Sequence, residues 1–335
     1  MPIYDKLKRS LEYLRISLTD RCNYRCSYCM PKDIFNADYK YLKKSELLTF
    51  EEILSFIEAL NTFNLKKIRL TGGEPLLRRN IENLIIRIKD LGINQVALTT
   101  NGSLLSLNKA KLLKENGLDG VTISLDSLKC STNRKINPHS NLGRVIDSIY
   151  IATDIFGFAK INVVVINNIN SNEIFDIINR FKNLNVEIRF IEFMDVGETN
   201  EWNLDSVYSS ERTYNDISKH FQLTKLKDEL DSTSTKWQLE DYTARVGFIS
   251  SITEPFCRSC NRGRLSADGF FYTCLFASHG YNVLETLRKN SSILDLQNDI
   301  QNIWSRRIDQ YSVLRKSNGQ ENDRESKIEM SYIGG

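Results

Sequence analysis

The sequence predicts an α/β fold in which parallel strands alternate with helices, as a barrel or an open sheet. Three observations carry this. Over the first 200 residues, short β-branched runs recur, each followed by an amphipathic helical stretch. Parallel pairing requires such crossovers, whereas antiparallel strands can be joined by tight turns. After about residue 200 the rhythm breaks into a mixed α+β pattern. At 335 residues the chain exceeds one usual compact unit but suits a single barrel with an appendage.

The elements follow in order. Leu14–Leu18 reads as the first strand. Thr49 and Glu52 have the form of a capping box, and Ile53, Phe56, Ile57 and Leu60 then recur at helical spacing. Lys67–Leu70 is the second strand, followed by a helix over 80–91. The strand Gln95–Thr99, a helix over 106–116, the strand Gly120–Ser124 and a helix over 142–156 come next. Ile161–Ile166, a helix over 171–182 and Glu187–Ile191 complete the series. Beyond it lie strand-like pieces at Gln222–Leu226 and Arg245–Ile249. A hairpin follows, in which Arg262–Ser266 and Phe270–Leu275 flank the turn Ala267-Asp268-Gly269. Helical segments over 282–289 and 293–305 precede a polar stretch from Lys316 to Gly335, expected to be flexible until something holds it.

The 45 basic and 42 acidic residues leave a net charge of only +3, which argues against a nucleic-acid or membrane partner. Met1–Lys6 has no apolar core of the kind a secretory signal needs. No run approaches the roughly 18 apolar residues of a membrane span. A cytoplasmic setting is expected, and its reducing conditions disfavour disulfides. The 7 cysteines therefore need another purpose.

Cys22, Cys26 and Cys29 form a C-x3-C-x2-C loop directly after the first strand, at the sheet edge where active sites of parallel α/β folds gather. Three thiolates ligate three corners of a four-iron cluster and leave the fourth iron open to an amine and a carboxylate. Passing an electron into S-adenosylmethionine requires that arrangement. A zinc site or idle buried thiols are the alternatives, and spacing and location favour iron–sulfur over both. Thr71-Gly72-Gly73-Glu74-Pro75 ends the second strand, where glycines permit close backbone approach.

Cys257, Cys260 and Cys274 form a second triad, C-x2-C-x13-C. With His279 it reads as a zinc site of Cys3His type; without it, as a second four-iron cluster whose open iron takes a substrate nitrogen. Cys130 stands alone and reads as a plain thiol. Arg15, Arg69 and Arg189 lie on strands, Lys160 opens the fifth, and alternation sets Arg262 and Arg264 on one face of the hairpin. So many cations turned toward one cavity call for an anion, and guanidinium matches phosphate. A phosphorylated substrate is expected.

The cysteine loop, with Tyr28 before its third cysteine, resembles the signature of the radical S-adenosylmethionine superfamily. From Tyr13 to Gly335 the pattern resembles the GTP 3′,8-cyclase family of molybdenum cofactor biosynthesis. Its strongest segments are Leu14–Pro31, Arg69–Pro75, Lys160–Val165, Phe190–Met194, Phe256–Phe276 and the terminal Met330–Gly335. That resemblance implies an incomplete (β/α)6 TIM-type barrel over 1–210. It also implies a C-terminal α+β region over 211–315 that covers the open side and carries the second cluster, and a tail over 316–335. It implies two four-iron clusters, held by Cys22, Cys26 and Cys29 and by Cys257, Cys260 and Cys274. S-adenosylmethionine would meet Tyr28, Gly73, Ser124 and Met194. GTP would meet Arg15, Arg69, Thr100, Lys160, Arg189, Arg262, Gly263 and Arg264, with guanine on the second cluster. Arg15, Arg262, Arg264, Gly334 and Gly335 would serve catalysis.

The implied reaction begins with a 5′-deoxyadenosyl radical taking the ribose 3′ hydrogen of GTP. The carbon radical closes on guanine C8, and an electron and a proton complete 3′,8-cyclo-7,8-dihydro-GTP. An electron donor, a pterin synthase acting next and a homodimer belong to the same implication. The rival readings are a radical enzyme acting on a peptide or other small molecule, and a non-enzymatic metal-based interaction module.

Overall fold

Alternation along the first strand sets the plan. In β1 (Tyr13–Ser17), Leu14 and Ile16 are fully buried among helix side chains, while Arg15 between them turns the other way. The computed structural model describes residues 1–227, 232–289, 292–317 and 327–334. After β1 come α1 (Phe50–Asn61), β2 (Lys67–Thr71), α2 (Ile81–Asp90), β3 (Gln95–Thr100) and α3 (Leu107–Glu115). Then follow β4 (Gly120–Ser124), α4 (Cys130–Ile136), α5 (Leu142–Phe156), β5 (Ala159–Val165), α6 (Ile174–Phe181) and β6 (Val186–Glu192).

The C-terminal part supplies α7 (Ser210–Ser218), β7 (Leu223–Lys225), β8 (Thr235–Leu239), β9 (Arg245–Ile249), β10 (Arg262–Leu265), β11 (Phe270–Tyr272) and β12 (Tyr281–Asn282). The helices α8 (Leu284–Arg288), α9 (Ile293–Ser305), α10 (Tyr311–Ser317) and α11 (Met330–Ile333) close the chain.

Among the described residues the strands form one open sheet, in the order β12-β11-β10-β1-β2-β3-β4-β5-β6-β9-β8-β7. β1 to β6 run parallel in sequence order, the incomplete barrel expected. The C-terminal part adds a parallel strand at each side: β10 beside β1 and β9 beside β6. Register sets Arg15 opposite both Arg69 and Arg264, so three guanidinium-bearing residues share one row.

Local chemistry explains the helix ends. Thr49 Oγ1 accepts from Glu52 N–H and the Glu52 carboxylate accepts from Thr49 N–H, the capping box read from sequence. Such a cap contributes about 1 kcal/mol. Gly157 ends α5 at φ +72°, a conformation that glycine adopts freely. Six elements escaped the periodicity reading. α4, α7, α10 and α11 are short, β8 buries Lys236 and Leu239 and so lacks apolar alternation, and β12 has only two residues. The helix expected over 171–182 opens as a 3-10 turn at Ser171–Glu173 before α6, and the second hairpin strand stops at Tyr272, before Cys274. Among the described residues no helix is long and apolar enough to cross a membrane.

Candidate active site

The loop after β1 carries Cys22, Cys26 and Cys29, and the end of β2 is pressed against it. A Cβ on Gly73 would lie 2.2 Å from the Arg21 carbonyl oxygen, so only glycine fits there. Gly73 N–H donates to Thr19 O at 2.8 Å and Glu74 N–H to Arg21 O at 2.8 Å. The buried Glu74 carboxylate accepts from Thr100 Oγ1 and from Asn101 N–H, both at 2.8 Å, tying in the end of β3. Asn101 Nδ2 reaches Cys22 Sγ at 3.7 Å, and Tyr24 N–H reaches it at 3.4 Å. Tyr28 donates to Asp126 at 2.8 Å, and Asp126 also accepts from Val164 N–H.

Burial, and then the Glu74 carboxylate, push the Cys22 thiol up to about 11. Burial with Asp126 raises Cys26, and burial with Cys22 and Glu329 raises Cys29. Burial also lifts Glu74 to about 7 and Asp126 to about 6.

The second triad is assembled by topology. Cys257 sits in a 3-10 turn, Cys260 lies two residues before β10, and Cys274 lies two residues after β11. Burial would raise the Cys260 thiol, but Arg262 and Arg307 outweigh it and bring it down to about 6. Burial and Asp309 push Cys274 up to about 12. All seven cysteines are free thiols.

One cavity joins the two triads. It has about 1800 Å³ of non-protein space, open solvent at its mouth included, and all six triad cysteines border it. Arg15, Tyr28, Gly73, Thr100, Ser124, Arg189, Met194, Arg262 and Arg264 line it as well. Arg15 Nε and Asn162 Oδ1 are buried there with no hydrogen-bond partner among the described residues. Such orphans mark places where a polar ligand would be taken up.

Arg69 and Lys160 are not among the residues that line the cavity; Arg69 is buried and Lys160 stays partly exposed. Arg69 donates to Tyr13 Oη at 2.5 Å, Thr122 Oγ1 at 2.9 Å and Thr99 Oγ1 at 3.0 Å. Lys160 is 4.0 Å from Glu187, which also binds Arg189. Burial and the Arg189 charge, opposed by Glu187, lower Lys160 to about 7. Gly263 is not among the lining residues either, and a Cβ on it would meet the side chains of Phe271 and Leu11. His279 does not line the cavity.

The chain end returns to this place. Arg264 donates to the Gly334 carbonyl, Tyr332 donates to Asp268, and Met330 lines the cavity. Glu329 accepts from Glu198 and Thr199 N–H groups. Asp195, next to Met194, holds Tyr311, Arg315 and Lys327. Gly335 lies outside the described residues.

The donor set suits the groups expected. Among the described residues no three His, Cys, Asp or Glu side chains converge on a single-ion site; the thiols border a larger space. Three sulfurs per triad on tight backbone suit a four-iron cluster with an open corner. Sequence reasoning missed Asn101, Asp126, Asp195 and Arg307. Asn101 and Asp126 sit just past strand ends already singled out, a signal that could have found them. Asp195 adjoins Met194, which was also singled out, whereas Arg307 acts across the fold and left no local trace.

Residues 16–181 match the model of the Radical SAM superfamily, and residues 186–313 match that of Molybdenum Cofactor Synthesis C. The chain is 44% identical over 337 residues to the GTP 3′,8-cyclase of Staphylococcus epidermidis, covering 99% of each chain. It is 43% identical over 335 residues to the GTP 3′,8-cyclase of Aquifex aeolicus, covering 99% of this chain and 100% of that one. Its backbone is similar to that of Streptococcus suis SuiB bound to S-adenosylmethionine, with a TM-score of 0.63 at 13% identity. That match covers 94% of this chain and 70% of the other, and bears on the fold alone. With whole-length relatives at this identity, the chain belongs to the GTP 3′,8-cyclase family within the radical S-adenosylmethionine superfamily.

Proposed function

We propose that the protein is a GTP 3′,8-cyclase in which each cysteine triad holds a four-iron cluster, the first facing S-adenosylmethionine and the second facing GTP. The observation that supports this most is the shared cavity: both triads and Arg15, Arg189, Arg262 and Arg264 border it. When bound, the clusters and S-adenosylmethionine supply the electron and the radical that open the ribose 3′ C–H bond.

The chain's own residues bind, orient and enclose. Cys22, Cys26 and Cys29 leave a fourth corner free, and Tyr28, Gly73, Ser124 and Met194 seat the S-adenosylmethionine. Tyr28 is held for that role by Asp126. Arg15, Arg189, Arg262 and Arg264 neutralise the triphosphate through charge-assisted hydrogen bonds, with Arg69 and Lys160 as further cations. Thr100 and the Gly263 backbone complete the nucleotide contacts. Cys257, Cys260 and Cys274 present the second group to guanine. The Arg264 contact with Gly334 holds that residue near the cavity, and the reading gives Gly334 a part in shielding the reacting ribose from water, with Gly335 as its partner in that role. The same reading places the protein in the cytoplasm, as a homodimer served by an electron donor and followed by a pterin synthase, with no nucleic-acid or membrane partner.

Anaerobic incubation with GTP, S-adenosylmethionine and a strong reductant tests the reading. The expected products are 5′-deoxyadenosine and an isomer of GTP, identified by mass spectrometry. Cleavage of S-adenosylmethionine with GTP left unchanged would refute it.

A further inference from the structure

Arg307 follows α9 and is buried, with 4% of its surface exposed. Its guanidinium donates to the Cys260 carbonyl at 2.7 Å and to Cys260 Sγ at 3.3 Å. The rest of the group is fastened from several elements. Asp5 lies at 3.4 Å and Asp309 at 3.2 Å, and the guanidinium stacks 4.5 Å from the centre of the Trp304 ring. Trp304 in turn donates its indole N–H to Arg9 O, and Arg9 is bound to Asp5 at 2.6 Å and to the Cys257 carbonyl at 2.7 Å. A buried frame of N-terminal and C-terminal residues therefore aims one N–H bond at one ligand sulfur.

We propose that Arg307 is a positioning residue that sets the reduction potential of the cluster held by Cys257, Cys260 and Cys274. The role rests on the reading of that triad as a cluster site. An N–H bond to a ligand sulfur and a nearby positive charge both stabilise the form that carries the extra electron. Asp5 and Asp309 offset part of the charge, but the hydrogen bond itself has no counterpart of opposite sign. Removing Arg307 also leaves Asp309 without its guanidinium, which adds to the effect. In contrast, no guanidinium in the described structure donates to a sulfur of the first triad; Arg25 there binds the carbonyls of Cys22, Tyr24 and Phe35.

The test is a redox titration of the full-length protein reconstituted with iron and sulfide, followed by electron paramagnetic resonance so that the two clusters are read separately. Arg307→Lys should move the second midpoint to more negative values, and Arg307→Met should move it further. The first midpoint should stay in place in both. Asp309→Asn, which leaves Arg307 less neutralised, should move the second midpoint the other way. Iron and sulfide content per chain shows which variants hold both clusters. If Arg307→Met does not, the other two decide. A parent protein with one cluster overturns the second-cluster reading and this role with it. A parent with two clusters, and variants whose second midpoint is unmoved or moves together with the first, overturns the role of Arg307 alone.

Discussion

The first triad, Cys22, Cys26 and Cys29, has Asn101 and Asp126 beside it on the cavity wall, whereas in the second, Cys257, Cys260 and Cys274, Cys260 meets the guanidiniums of Arg262 and Arg307. Burial above all, and then Glu74, Asp126 and Glu329, push the thiols of the first triad up. In the second triad Arg262 and Arg307 pull Cys260 down, while burial and Asp309 push Cys274 up. Arg15, Arg189 and Arg264 add to the positive charge of the cavity wall. S-adenosylmethionine carries a net positive charge and GTP a strongly negative one. On the proposed reading, the guanidiniums would draw the triphosphate toward the second triad before any specific contact is made. If both triads hold clusters as proposed, the cations beside the second would make it the easier to reduce.

The largest test of this division is to remove one ligand from each side. Cys22→Ala should abolish both S-adenosylmethionine cleavage and GTP conversion. Cys257→Ala should retain some cleavage, measured as 5′-deoxyadenosine, while losing conversion of GTP. Normal GTP turnover in Cys257→Ala would dissolve the distinction between the halves. Gly73→Ala should come close to Cys22→Ala, since its Cβ would lie 2.2 Å from the Arg21 carbonyl and displace the cysteine loop. Iron content after reconstitution should fall for the first cluster only.

The two halves also differ in how far they could be read from sequence. The first triad lies on one loop, and Thr71–Pro75 ends the neighbouring strand, so local spacing and strand order place them together. The six-strand series was legible for the same reason: each β/α unit carries its own periodicity. The second triad spans a 3-10 turn and a hairpin, and its environment comes from Asp5, Arg9, Trp304 and Arg307, far apart in the chain. No local pattern encodes that meeting. Nor could it show that Arg69 and Lys160 stay off the cavity wall, because that depends on how each side chain packs in the folded barrel.

A smaller effect sharpens the cationic half. Arg264 joins the β1–β10 row to the Gly334 carbonyl, so Arg264→Ala removes both a phosphate partner and the fastening of the chain end. A charge-assisted hydrogen bond contributes about 1.5–3 kcal/mol, which corresponds to roughly 10- to 150-fold in kcat/KM for GTP. Arg262→Ala should fall in the same range. Cleavage of S-adenosylmethionine should change little in either, and unchanged GTP kinetics would remove both residues from the site.

The smallest expected effect concerns Lys160, and it is a matter of sign. Without a ligand its ammonium is lowered to about 7, by burial and by Arg189 against the pull of Glu187. A triphosphate brought near would raise that value, so the complex holds a proton that the free protein begins to lose near neutrality. Binding then takes up a proton above about pH 7. Affinity for GTP should be fully developed below that pH and weaken as pH rises through it, by no more than about tenfold per pH unit for one proton. Lys160→Arg keeps its charge throughout and should flatten the profile. Calorimetry of GTP binding in buffers of different ionisation enthalpy measures the proton directly. If the proton uptake persists in Lys160→Arg, it belongs to another group, and the positive half of the cavity does not extend to Lys160.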